Sequence, residues 1–182
     1  CHTLSRNGKR LGADVGGEKE WIAEVGLTFP PPILLKQDPA KKDIANSWMT
    51  FNPDTTRHVT SAKGLLVLRK EDGTAIGKGP GGSIPLGSGV FGHMPDWSPD
   101  GKYLVFAKAA SAGGRKVTAG SISIMPANPD DTFGAIIDLV KSGGTADNNY
   151  FPMFAPTSEW IAYGHSTGSS EKEDDSQLRL IS

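Results

Sequence analysis

A single cysteine, Cys1, among 182 residues leaves no partner for an intrachain disulfide and no thiolate set for a metal cluster. An excess of one charge is missing too, since 19 basic and 20 acidic side chains nearly cancel. No basic stripe offers itself to nucleic acid, and no long acidic arm is present. Long hydrophobic runs are also absent. The longest, Gly64-Leu65-Leu66-Val67-Leu68, falls far short of a bilayer-spanning helix, and no signal-peptide pattern is visible. These absences argue against a disulfide scaffold, a nucleic-acid binder and membrane insertion. What the chain has in plenty is glycine (23) and proline (13), which suits many short strands joined by turns.

The sharpest of those turns lies in Trp97-Ser98-Pro99-Asp100-Gly101-Lys102. Pro99 presets φ for a type I turn, Asp100 can bond the backbone ahead of it, and Gly101 suits the left-handed position. Asp96-Trp97 and Tyr103-Leu104-Val105-Phe106 read as the flanking strands. The pattern recurs at Leu4-Ser5-Arg6-Asn7-Gly8, Phe51-Asn52-Pro53-Asp54-Thr55 and Phe154-Ala155-Pro156-Thr157-Ser158. Equivalent positions 5, 52, 98 and 155 are 47, 46 and 57 residues apart. A large apolar residue precedes every turn: Leu4, Phe51, Trp97 and Phe154. Pro95 and Pro152 share a place upstream of two of them.

Each unit carries further strand signals. Trp21 to Val25 and Ile33 to Leu35 follow the first hairpin. Leu65 to Leu68 and Thr74-Ala75-Ile76 follow the second, and Ser121 to Met125 and Ala135 to Val140 the third. The fourth reaches Gln177 to Ile181. Four strands repeated every 40 to 60 residues or so is the signature of propeller blades. The expected fold is therefore all-β: about three and a half four-stranded antiparallel blades in an open ring, with units 1–46, 47–93, 94–149 and 150–182, the last incomplete. The large pre-turn residues should lie between adjacent sheets. A chain that opens on Cys1 could be a mature lipoprotein, but repeat-like sequence starts at once and leaves no tether. We expect a piece of a longer protein.

The stretch from Pro95 to Phe106 resembles the blade motif of TolB-type β-propellers, the WD-like repeats of bacterial envelope proteins. Asn148 to Tyr163 resembles a second copy, and the first two units are degraded, with Arg6 in place of the motif's proline and Thr55 in place of its glycine. The resemblance implies an extracytoplasmic (periplasmic or cell-envelope), non-catalytic module that binds another protein, with no cofactor. It also implies remaining blades in the full-length chain. The alternative is the propeller domain of a larger enzyme, a prolyl-oligopeptidase-like peptidase or a polysaccharide lyase, whose catalytic part lies elsewhere.

Chemistry of other kinds is poorly supported. Gly164-His165-Ser166-Thr167-Gly168 has the G-x-S-x-G spacing of a nucleophile elbow, yet no histidine follows it, and the next residues read as a polar loop. The glycine-rich run from Gly79 to Gly92 lacks the lysine of a phosphate loop and reads as a connection between blades. His2, His58, His93 and His165 occupy different places in their units, so no axial metal site is expected. Asp130 and Asp131 suit a turn better than a calcium site.

Function is therefore expected on loops. The turns at Ser98 to Lys102 and its equivalents are short, whereas Asp38–Asn46, Gly79–His93, Ala110–Gly120, Ser142–Tyr150 and Ser166–Asp175 are long and share the opposite end of the ring. Candidate contacts on that end are Lys41, Lys42, His93, Arg115, Asn148, Asn149 and Tyr150. Tyr150 leads them, because an aromatic ring with a polar tip suits a binding surface.

Overall fold

The computed structural model describes residues 2–14, 20–26, 28–36, 46–112, 116–171 and 174–182. Among these there is no α-helix. Fourteen strands form four antiparallel sheets in chain order. The first sheet holds β1 (His2–Leu4), β2 (Arg10–Asp14), β3 (Glu20–Glu24) and β4 (Ile33–Lys36). β5 (Asn46–Phe51), β6 (Arg57–Ala62) and β7 (Leu65–Lys70) make the second. The third has β8 (Phe91–Trp97), β9 (Tyr103–Ala109), β10 (Ser121–Pro126) and β11 (Ile137–Val140). β12 (Asn148–Phe154), β13 (Ile161–Ser166) and β14 (Gln177–Ile181) make the last. Every sheet runs up and down, and the arrangement is an open propeller-like row rather than a closed barrel.

The four hairpins share one geometry despite their different sequences. In each, the residue after the apolar position bonds across the turn: Ser5 N–H to Arg10 O, Asn52 to Arg57, Ser98 to Tyr103 and Ala155 to Trp160. Gly8, Thr55, Gly101 and Ser158 hold the same left-handed position, at φ of 71°, 66°, 78° and 65°. Side chains explain how the degraded turns survive. Asn7 Oδ1, Asp54 Oδ1 and Asp100 Oδ1 each accept the backbone N–H two residues on. That bond pins the loop whether or not proline and glycine are present.

Packing follows from the same register. Phe51, Trp97 and Phe154 are 4%, 6% and 4% exposed, and each points back into the preceding sheet. Trp97, Leu104 and Met125 pack on Val59, Leu66 and Leu68, and Phe154 and Ile161 pack on Val105 and Ile122. Phe51 and Met49 close over Gly12, where any Cβ would collide with the Met49 sulfur. Leu4 is the exception. It was expected between sheets but is 58% exposed, because no described sheet packs on that face of the first sheet. It lies in register with Leu11, Ala23 and Ile33, so an apolar row crosses the outer face of the first sheet. Leu178 and Leu180 leave a comparable patch on the fourth sheet.

One strand differs from expectation. Thr74-Ala75-Ile76 does not continue as the fourth strand of the second sheet. Ala75 bridges Arg69, the chain leaves through the glycines around Pro80, and Ser83 returns to bridge Val67. Ile76 N–H and Ile84 N–H still bond to Leu68 O and Leu66 O, so the edge is paired in two pieces around an excursion. Ile84, which read as part of a connection, is a core residue.

Candidate functional site

The first strand of each sheet faces the middle of the row; two of these strands are broken at the same height, and a third is broken nearer its start. The β8 register slips between His93 and Asp96, that of β12 between Tyr150 and Met153, and that of β5 between Asn46 and Trp48. Met94 and Phe151 sit within the first two slips at φ of 52° and 48°. A left-handed conformation costs a non-glycine residue on the order of 1–3 kcal/mol and gathers at functional positions. Pro95 and Pro152 follow, and neither can donate to the ladder. The slips act as bulges that re-aim side chains. Trp48, Met49, Met94, Pro95, Phe151, Pro152 and Met153 join His2 and Thr3 around a cavity of about 400 Å³. Trp48 and Phe151 meet edge to face at 6.2 Å. The cavity is an apolar cup built from all four sheets, and among the described residues His2 is its one titratable lining group.

Beside the cup, toward the short turns, lies a polar tie. Arg6 stands where the motif has proline, and its guanidinium reaches across the row. Nη2 donates to Asp96 Oδ2 at 2.7 Å and to Phe154 O at 3.4 Å, and Nε donates to Trp97 O at 3.3 Å. Asp96 also accepts Phe154 N–H at 2.7 Å and the Thr50 hydroxyl at 3.2 Å. Arg6, Thr50, Asp96 and Phe154 come from four different units. Burial pushes the Asp96 carboxyl above its usual range, and Arg6 and the two hydrogen bonds pull against that shift.

The residues expected to bind at the long-loop end are placed otherwise. Lys41, Lys42 and Arg115 lie outside the described residues. His93, Asn148, Asn149 and Tyr150 are 1%, 0%, 0% and 6% exposed, so their side chains are structural anchors rather than surface contacts. Asn148 accepts Gly120 N–H and donates to Val117 O, and Asn149 donates to Gly120 O. Together they tie Val117 and Gly120 to the fourth sheet. Tyr150 donates its hydroxyl to Ser176 or accepts from it at 3.0 Å. Burial holds the His93 imidazole below its ordinary pKa, against the opposing contact with Ser111 O.

Ser166 of the G-x-S-x-G stretch is fully buried and donates to Ser169 O, so its hydroxyl is spent on the loop. Asp130 caps its own turn through Thr132. A second, polar crevice of about 620 Å³ opens between the second and third sheets at the short-turn end. Its rim groups are engaged in turns, and the Arg57–Asp131 pair crosses it. The cup was missed from sequence because its residues precede the turns inside strands. Its one visible signal was the shared placing of Pro95 and Pro152.

No family model matches the chain, and no curated protein matches it. Solved structures do. One assigned as a TolB of Agrobacterium tumefaciens aligns with a TM-score of 0.65 at 17% identity. Two assigned as 6-phosphogluconolactonases, from Bacteroides uniformis and Bacteroides fragilis, align at 0.54 with 15% identity and at 0.53 with 14%. Each alignment covers 100% of this chain and 57% of the other, so the chain spans little more than half the length of these structures. At such identities the likeness is one of fold, and the shared fold is the β-propeller.

Proposed function

We propose that the chain is a non-catalytic, TolB-like propeller module of the bacterial cell envelope whose apolar cup receives an apolar segment of a partner protein. The observation that carries this reading is the convergence of Trp48, Met49, Met94, Phe151 and Met153, from three sheets, on one cavity beside two left-handed residues. Binding is favoured over catalysis because the described cup lining is dominated by aromatic, methionine and proline side chains, with His2 and Thr3 its only polar members. An envelope location follows the fold likeness and the blade motif. Further blades belong on the outer faces, over the Leu4–Leu11–Ile33 row and over Leu178 and Leu180. With those faces bare, the 182-residue chain should self-associate in light scattering.

The test is substitution at each end of the row, read by a neutral apolar dye and then by partner binding with the full-length protein. Phe151→Asp with Met153→Asp should abolish both. Lys102→Ala, at the short turns, should change neither. Loss of binding on the Lys102 substitution, with the cup double variant unaffected, would overturn the reading.

A further inference from the structure

Three of the four methionines in the chain line the cup, and they are graded in accessibility. Met153 is 63% exposed, and Met49 is half-buried with its sulfur against Gly12. Met94 is 3% exposed, and its sulfur accepts Phe151 N–H at 3.2 Å. The fourth, Met125, is 1% exposed in the core between the second and third sheets. The position of Met153 is itself unusual. Its counterparts one residue before the pre-turn apolar position are Thr3, Thr50 and Asp96, all polar. A thioether at the cup rim is thus particular to the fourth unit.

We propose that the cup is a methionine modification site, at which a hydroperoxide converts Met153, and then Met49, to the sulfoxide and so switches off apolar binding. This rests on the cup being a binding site. In the step, a sulfur lone pair attacks the outer peroxide oxygen and the O–O bond breaks. The sulfur is oxidised by two electrons and gains one oxygen. Hydrogen peroxide is reduced to water as the departing hydroxide takes up the transferred proton. No metal or cofactor is required. A sulfoxide replaces a flexible apolar wall with a strong dipole, and a thiol-dependent sulfoxide reductase can reverse the change. Met94 resists on two grounds, burial and the hydrogen bond to its sulfur. Met125 resists on burial alone.

The experiment exposes the 182-residue chain to hydrogen peroxide, follows each methionine by peptide mass mapping, and titrates a neutral apolar dye at each stage. Met153 should convert first and Met49 second, with Met94 and Met125 intact while the far-ultraviolet circular dichroism is unchanged. Dye affinity should fall about tenfold, equivalent to about 1.4 kcal/mol, and return after treatment with methionine sulfoxide reductase. Met153→Leu should lose the first step of peroxide sensitivity, its dye affinity after peroxide being read against that of its own untreated form. Conversion of Met94 or Met125 as fast as Met153 overturns the proposal, as does unchanged dye affinity after Met153 is fully oxidised. Failure of the reduced chain to bind dye overturns the cup reading as well.

Discussion

The joint between the first and second sheets and the joint between the second and third use the same lattice of positions with opposite chemistry. In the second sheet Phe51, His58 and Arg69 stand in register and face back toward the first. The equivalent row in the third sheet is Trp97, Leu104 and Met125, and in the fourth it is Phe154, Ile161 and Ile181. Opposite these rows, Glu20 of the first sheet takes the place held by Leu66 and Ile122 in the next two. Three apolar positions have therefore become charged or titratable together. Glu20 Oε1 lies 2.5 Å from His58 Nε2, and its Oε2 lies 3.7 Å from Arg69 Nε. All three residues are buried. Burial pulls the Arg69 guanidinium pKa down, and Glu20 opposes the shift. A buried ion cluster adds little net stability, but each member depends on the others. The Glu20 face cannot dock on an apolar row without stranding a carboxylate, so the first joint is chemically distinct from its neighbours.

The largest expected effects break one joint or the other. Trp97→Ala empties the apolar joint and should cost roughly 3–5 kcal/mol. Arg69→Met alone should cost roughly as much, about 3–5 kcal/mol, since it leaves Glu20 buried with its charge poorly compensated. The comparison sharpens in the triple variant Glu20→Leu, His58→Leu, Arg69→Met, which copies the apolar joint. It should unfold in urea within about 1 kcal/mol of the parent, or above it, because apolar replacement of a whole buried cluster is commonly neutral or stabilising. A triple variant as unstable as Arg69→Met would show that the joints differ in more than their polarity.

How much of this was legible beforehand divides along the same line. The four like hairpins and the all-β architecture were readable because each turn is a local event, written in four or five consecutive residues. Phe51, Trp97 and Phe154 were found for the same reason. Leu4 was misjudged because its burial depends on a neighbouring sheet, not on its own turn. The charged joint was not readable. Glu20, His58 and Arg69 lie far apart in sequence, and only strand register brings them together. The cup escaped for a related reason, being assembled from two or three residues of each of four strands. The loop candidates Asn148, Asn149 and Tyr150 were singled out for polarity near a long loop. The two asparagines instead satisfy buried backbone at Gly120 and Val117, and the Tyr150 hydroxyl pairs with Ser176.

A middle-sized effect concerns the tie that bypasses both joints. Arg6→Ala removes the counter-charge from Asp96, whose carboxyl is already raised by burial. Without Arg6 the pKa should rise further. A raised carboxylate favours the folded state at low pH and penalises it once pH climbs through the folded value. The variant should therefore match the parent near pH 3, where Asp96 is protonated in both. It should fall behind by about 1.5–3 kcal/mol at pH 7, the range for a hydrogen bond to a charged group. Urea unfolding at both pH values reads the difference. A deficit independent of pH would mean that Arg6 acts through the Trp97 and Phe154 carbonyls alone.

The smallest effect belongs to a feature that the two joints share. Arg10, at the start of β2, pairs with Glu71 in the last turn of the second sheet at 2.5 Å. Arg57, at the start of β6, pairs with Asp131 in the matching turn of the third, through Nε at 2.9 Å and Nη2 at 3.1 Å. The two arginines are equivalent, and each clasps its own sheet to the next at the short-turn end. Both pairs are partly open to solvent, so water and salt screen them. Arg10→Gln and Arg57→Gln should each cost about 0.2–1 kcal/mol, and both costs should shrink between 0.05 M and about 1 M sodium chloride. Arg57, bound through two nitrogens, should lie toward the upper end of that range. Equal, salt-sensitive losses would mean that the clasp acts alike over a charged joint and an apolar one. A loss at Arg10 several times that at Arg57 would tie the clasp to the Glu20 cluster beneath it, and the two joints would then differ at their surface as well as in their core.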